Sequence, residues 1–168
     1  DIATATALEF ARYGWQYERA LVRADYYMRH WKKGELNDVF DTLPFWERRM
    51  VCGCKGDNDF GSLESLEWLL ENVSLPAESY TGSCWFCAYR LFNPYGESIH
   101  GSGYVEPYED IYGENRARFT YEIGGVCGSL SHFGTFAALA NGVPALTAGE
   151  PGHCAFIVRI GEKWVPAY

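Results

Sequence analysis

Residues 121–158 read Tyr121-Glu-Ile-Gly-Gly-Val-Cys127-Gly-Ser-Leu-Ser-His-Phe-Gly-Thr-Phe-Ala-Ala-Leu-Ala-Asn141-Gly-Val-Pro-Ala-Leu-Thr-Ala-Gly-Glu150-Pro-Gly-His153-Cys-Ala-Phe-Ile-Val158. The run from Phe133 to Leu139 is apolar, rich in Ala, and closes at Asn141-Gly142, which reads as a helix with a glycine past its end. Gly124 and Gly125 stand just before Cys127, so a thiol is expected at the helix N-terminus. Val143-Pro144-Ala145-Leu146 follows, then the turn Glu150-Pro151-Gly152, then His153 at the head of a buried-strand pattern. The fold class that follows is α+β: a Cys-bearing helix packed against a small antiparallel sheet.

That placement suits covalent chemistry. The thiolate, not the thiol, is the nucleophile, and both a helix N-terminus and a neighbouring imidazolium favour it. The same imidazole can then pass a proton to the leaving group. A Cys and a His distant in sequence but adjacent in space are the minimum for acyl transfer.

Four pieces in this order resemble the transglutaminase-like superfamily, whose core is papain-like. They are Gly-Gly-Val-Cys127-Gly-Ser, Ala-Asn-Gly-Val-Pro-Ala (140–145), Pro-Gly-His153-Cys-Ala-Phe-Ile-Val and Lys-Trp-Val-Pro (163–166). The likeness covers residues 121–168. It implies Cys127 and His153 as catalytic residues that form and resolve a thioester with an amide substrate, and no cofactor or metal. It also implies a third residue, Asp or Asn, which would fall just after Tyr168. The gap from Cys127 to His153 is shorter than in most members. Water as acceptor would give a protease or amidase, an amine a cross-linker. The alternative is a non-catalytic module of an exported multidomain protein that keeps the fold and binds peptide or glycan.

Length and composition bound the rest. A chain of 168 residues is one domain by size and buries roughly 70% of its unfolded surface. With 48% hydrophobic and 21% charged residues it is globular throughout. Fourteen basic against twenty-two acidic residues, net −8, make nucleic acid a poor partner. The short basic clusters Arg29-His30-Trp31-Lys32-Lys33 and Arg48-Arg49 read as solvated helix ends. No run of eighteen apolar residues is present, so no membrane span is expected. Beginning at Asp1 and stopping in a strand-like run, the chain reads as a piece excised from a longer protein.

Along the chain, residues 3–33 read as one long helix followed by Gly34, and 35–50 as a second helical segment broken at Leu43-Pro44. Cys52 to Gly61 reads as a loop, and Ser62 as the cap of a helix through Val73. Residues 83–92 read as a short helix before the break at 93–96, completing a helical part over 1–92. The stretch 93–120 reads as an aromatic loop region, and 121–168 as the catalytic-type core. Trp85, Tyr95, His100, Tyr104 and Tyr108 are the expected lining of a groove for a protein, peptide or glycopeptide substrate. His132, five residues after Cys127, reads as structural, and Cys154 as core on the opposite strand face from His153. Cys52, Cys54, Cys84 and Cys87 form two close pairs, read as disulfides of a secreted, periplasmic or cell-surface protein ahead of a zinc site.

Overall fold

The helix at the middle of the sequence pattern is also the middle of the molecule. A computed structural model describes residues 1–11, 17–53 and 59–167. Cys127–Ala140 is a 14-residue helix, and every residue from Phe133 to Ala140 is buried. A helix apolar on all sides must be covered on all sides. In chain order the other helices are α1 (Ile2–Phe10), α2 (Tyr17–Lys33), α3 (Val39–Thr42), α4 (Phe45–Gly53), α5 (Leu63–Asn72), α6 (Glu109–Tyr112) and α7 (Arg116–Ile123); the central one is α8, and α4, α5 and α7 pack directly on it. Its other cover is a three-stranded antiparallel sheet in the order β1 (Ala145–Glu150), β2 (His153–Ile160), β3 (Lys163–Ala167). The class is α+β, and one buried cluster runs from Ile2 to Ala167.

The sheet lies on α8 through β2. Phe156 is fully buried, and its ring sits where a Cβ on Gly134 would be, 2.5 Å from that position. A glycine in mid-helix costs about 1 kcal/mol against alanine; here it lets strand and helix approach. Strand residues alternate faces, so Cys154 and Val158 share the α8 side with Phe156. The β1–β2 connection is the pair Pro151-Gly152, with Glu150 opposite His153 in register and Gly152 at φ 75°. Pro then Gly with positive φ is the pattern of a type II turn.

The C-terminal end of α8 is held by side chains. Tyr27 Oη donates to Leu139 O at 2.9 Å, and Tyr26 Oη lies 2.9 Å from Ala140 O and 3.2 Å from Leu66 O. Asn141 Nδ2 donates to Val73 O and Ala137 O. Both tyrosines are fully buried, and the carbonyls of a last helical turn lack intrahelical donors. These bonds tie α2 to the end of α8 and, through Leu66 O, to α5.

Of the single helix expected over 3–33, two helices are described, α1 capped by Asp1 Oδ1 and α2, and they pack against each other; residues 12–16 lie outside the described residues. Leu43 is extended (ψ 133°) and does separate α3 from α4, as Pro44 requires. Cys52 and Gly53 belong to α4 rather than to a loop, while residues 54–58 lie outside the described residues. Ser62 caps α5 through Ser65 N, as expected.

Two polar links tie the layers. His30, read from sequence as part of a solvated helix end, is buried with Glu35 at 2.6 Å on Nδ1 and Glu67 at 3.0 Å on Nε2. Arg29 joins Glu67 at 2.7 Å, so α2 and α5 are cross-linked. Arg159 of β2 meets the buried Glu47 of α4 at 2.6 Å, beside the Trp46–Trp164 ring pair.

Residues 83–92 are not an α-helix. A 3-10 stretch covers Ala77–Phe86, and the chain then extends, pairing Tyr89 with Gly125 in a parallel bridge. The 93–120 region is more structured than a loop. Tyr104, Tyr108, Phe119 and Ile123 form a second buried cluster under α6 and α7. No helix among the described residues is long and apolar enough to cross a membrane.

Candidate functional site

The Gly124-Gly125 pair decides how the chain enters α8. Gly124 ends α7 with φ 92°, and a Cβ there would lie 2.5 Å from Ala88 O. Positive φ and that approach both call for glycine. At Gly125 a Cβ would lie 2.5 Å from Ser129 Cβ. Val126 then takes the N-cap position without a side-chain cap, and Cys127 opens the helix. Leu130 N donates to Val126 O at 3.0 Å. The N–H groups of the first turn ahead of it have no acceptor within the helix, and this end of the helix favours negative charge. Cys127 is half-buried, unlike the buried turns behind it.

The second sequence-derived residue, His153, is exposed and is the first residue of β2. Alternation puts its side chain on the face shared with Ala155 and Ile157, away from the α8 face. The residue on the α8 face is Cys154. Ser131, one turn along α8 from Cys127, donates from Oγ to Cys154 O at 2.6 Å. The Cys154 thiol is pushed up, first by burial and then by the nearby Cys127. Cys127 and Cys154 are both free and half-buried.

The expected groove residues divide. Trp85 (62% exposed) and Tyr95 (69%) stand at the surface, as does His100. Tyr104 (1%) and Tyr108 (7%) are buried instead, because they pack against Phe119 at 6.0 and 5.7 Å between ring centroids. Tyr104 still acts on the site from behind, as its Oη donates to Gly124 O at 3.1 Å. His132 is structural: Nδ1 donates to Gly128 O at 2.7 Å and the ring stacks on Phe60.

Sequence reasoning missed the wall beside Cys127. Arg90 N donates to Gly125 O at 2.8 Å, and Gly125 N to Ala88 O at 3.0 Å. Tyr89 and Arg90 are exposed on that strand. The available signal was a charge gap, since Arg90 is the only charged residue from Ser79 to Gly96.

Of the upstream thiols, Cys84 and Cys87 are free and buried. Burial pushes Cys84 up to about 11, and pushes Cys87 further, with Cys84 adding to it. Cys52 is buried within α4, and Cys54 lies outside the described residues. Among the described residues no three His, Cys, Asp or Glu side chains cluster to hold a metal ion.

Comparison with protein-family models, with curated proteins and with solved structures finds no match for this chain.

Proposed function

We propose that the protein is a transglutaminase-like thiol acyl-transfer enzyme, built on a papain-like core, that acts on an amide of a peptide-type substrate. One observation carries the reading: Cys127 is the first residue of the central buried helix and keeps part of its surface open. A structural thiol gains nothing from that position, whereas a nucleophile gains the positive end of a fixed helix and access to substrate.

In this reaction the Cys127 sulfur attacks the amide carbonyl, forming a C–S bond and an oxyanion. First-turn N–H groups of α8, Cys127 N–H among them, donate to that oxygen. In this reading His153 takes the thiol proton and returns it to the leaving amine as the C–N bond breaks. The resulting thioester is resolved by water or by an acceptor amine, with His153 again as base. Cys84 and Cys87 carry no bridge here, so the reading makes no use of an oxidising compartment.

The binding-module reading is favoured by one observation, the exposure of Trp85, Phe86, Tyr89 and Phe92. Alkylation separates the two. Iodoacetamide is expected to label Cys127 at least about tenfold faster than Cys154, and His153→Ala to slow Cys127 alone. Equal labelling of the two thiols, or no effect of His153→Ala, overturns the enzyme reading.

A further inference from the structure

The segment that runs past Cys127 is apolar, rigid and uncovered. Trp85, Phe86, Tyr89, Leu91, Phe92 and Tyr95 are all exposed. Large side chains of this kind are left in water singly as a rule, and a contiguous set marks an interaction site. The backbone beneath them is fixed. Arg90 N and Ala88 O hold it to Gly125, and Ile99 N donates to Leu91 O across a hairpin closed by the Phe92–Ser98 bridge. Within that hairpin Asn93 is buried, donating to Gly103 O and Tyr104 O and accepting from Tyr95 N and Glu97 N. Such a surface loses little conformational freedom when something binds to it.

Its charge is also unlike that of the chain. No acidic residue lies between Ser79 and Gly96 in a protein of net charge −8, and the one cation there is Arg90. The Arg90 stem crosses Gly124, its Cδ and Cγ each 3.2 Å from where a Cβ would stand. Its guanidinium forms no ion pair among the described residues, although its charge opposes the burial that raises Tyr104 and Tyr108. Beside it, the buried Tyr108 hydroxyl has no hydrogen-bond partner among the described residues. Guanidinium suits a carboxylate because its planar donors match the two oxygens.

We propose that this strand and hairpin are the substrate wall of the Cys127 site, and that the substrate presents a large apolar side chain and a carboxylate that Arg90 receives. The inference rests on Cys127 being the reacting group of the proposed function and names the substrate class for it. Gly125 is two residues from Cys127, at most about 7.6 Å between Cα atoms. The carboxylate therefore belongs within a residue or two of the reacting carbonyl.

Three alkylating probes test it: iodoacetamide, N-iodoacetyl-phenylalaninamide and N-iodoacetyl-phenylalanine. In each, the Cys127 sulfur displaces iodide from the same methylene and the thiol proton passes to base, so only recognition differs. Rates at Cys127 are read relative to iodoacetamide within each variant, which cancels changes in thiol reactivity. The phenylalanine acid is expected to react on the order of tenfold faster than iodoacetamide, with the amide between them. Trp85→Ala with Tyr89→Ala removes the advantage of both aromatic probes, and Arg90→Gln erases the difference between acid and amide. An acid no faster than iodoacetamide, or a preference for acid that survives Arg90→Gln, overturns the inference. A Cys127 that outpaces Cys154 but shows no probe preference sinks this inference alone. A sluggish Cys127 that still prefers the acid upholds the wall and sinks the enzyme reading.

Discussion

Gly134→Ala opposes local preference to packing at one atom. Helix propensity favours the substitution by about 1 kcal/mol, since glycine is the poorer residue in a helix interior. The structure sets the new methyl 2.5, 2.7 and 2.9 Å from Cζ, Cε1 and Cε2 of Phe156. Ordinary carbon contacts stand at about 3.5–4.0 Å, so the ring must retreat by roughly 1 Å. Phe156 is fully buried and has nowhere open to go. Overpacking of this kind costs about 1–3 kcal/mol, and the upper part of that range applies here. After the propensity gain, a net loss of about 1–2 kcal/mol remains. For a chain of this size that lowers Tm by about 2–8 °C in a thermal melt. Phe156→Leu shortens the obstructing side chain, so the double variant should lose less than the two single losses combined. A Gly134→Ala protein with an unchanged or raised Tm would refute the close helix–strand approach.

Two further perturbations address the links between layers. Glu47→Ala leaves Arg159 without its carboxylate in a poorly solvated place and should cost about 3 kcal/mol in urea unfolding; replacing both residues by Met should recover most of it. A loss that persists in full in the double variant would mean that the pair is not what joins α4 to β2. On the acid side, Glu35 is held below the usual carboxylate value of 4.5 by its hydrogen bond from His30, and Glu122 by those from Tyr112 and Arg118. A lowered folded-state value means that the stabilisation is present above 4.5 and is lost as pH falls through the lowered values. Tm should therefore decline below about pH 4.5, and less steeply in Glu35→Gln, as thermal melts at stepped pH would register. Parallel curves for the two proteins would remove Glu35 from the account.

The parts of the fold that could be read from sequence are those whose signals are local. The small residues before Cys127, the Asn141-Gly142 stop and the Pro151-Gly152 turn each specify backbone geometry within a few residues, and α8 and β2 fall where they indicate. Ser62 and Pro44 acted in the same way. The failures have distant partners. The 83–92 stretch extends because Gly125 receives it, and no helical pattern in its own residues could reveal that bridge. Likewise, His30 sits among basic residues in sequence, but its carboxylates come from Glu35 and from Glu67 on another helix. Tyr104 and Tyr108 carry the aromatic signature of a groove, which is the same signature as that of a core, and Phe119 decides for the core. At the site, the half-buried helix-start thiol was readable from spacing, whereas the wall of Tyr89 and Arg90 depended on tertiary pairing.

The tyrosine clamp on α8 has a consequence for how the chain is made. Tyr26 and Tyr27 find their acceptors 114 and 112 residues further along. At the usual synthesis rate of about 5–20 residues per second, the two hydroxyls wait roughly 6 to 23 seconds for Leu139 and Ala140 to be made. Until then the two phenols lack the α8 carbonyls, and Tyr26 has only Leu66 O to meet, a state that invites association with other chains. Contacts of such long range also slow folding, because the loop between them must close before they reward it. The N-terminal helices thus behave less as a module that folds first than as half of a clasp. A fragment ending before residue 127 is expected to be recovered as aggregate, while the chain that includes α8 refolds as a unit.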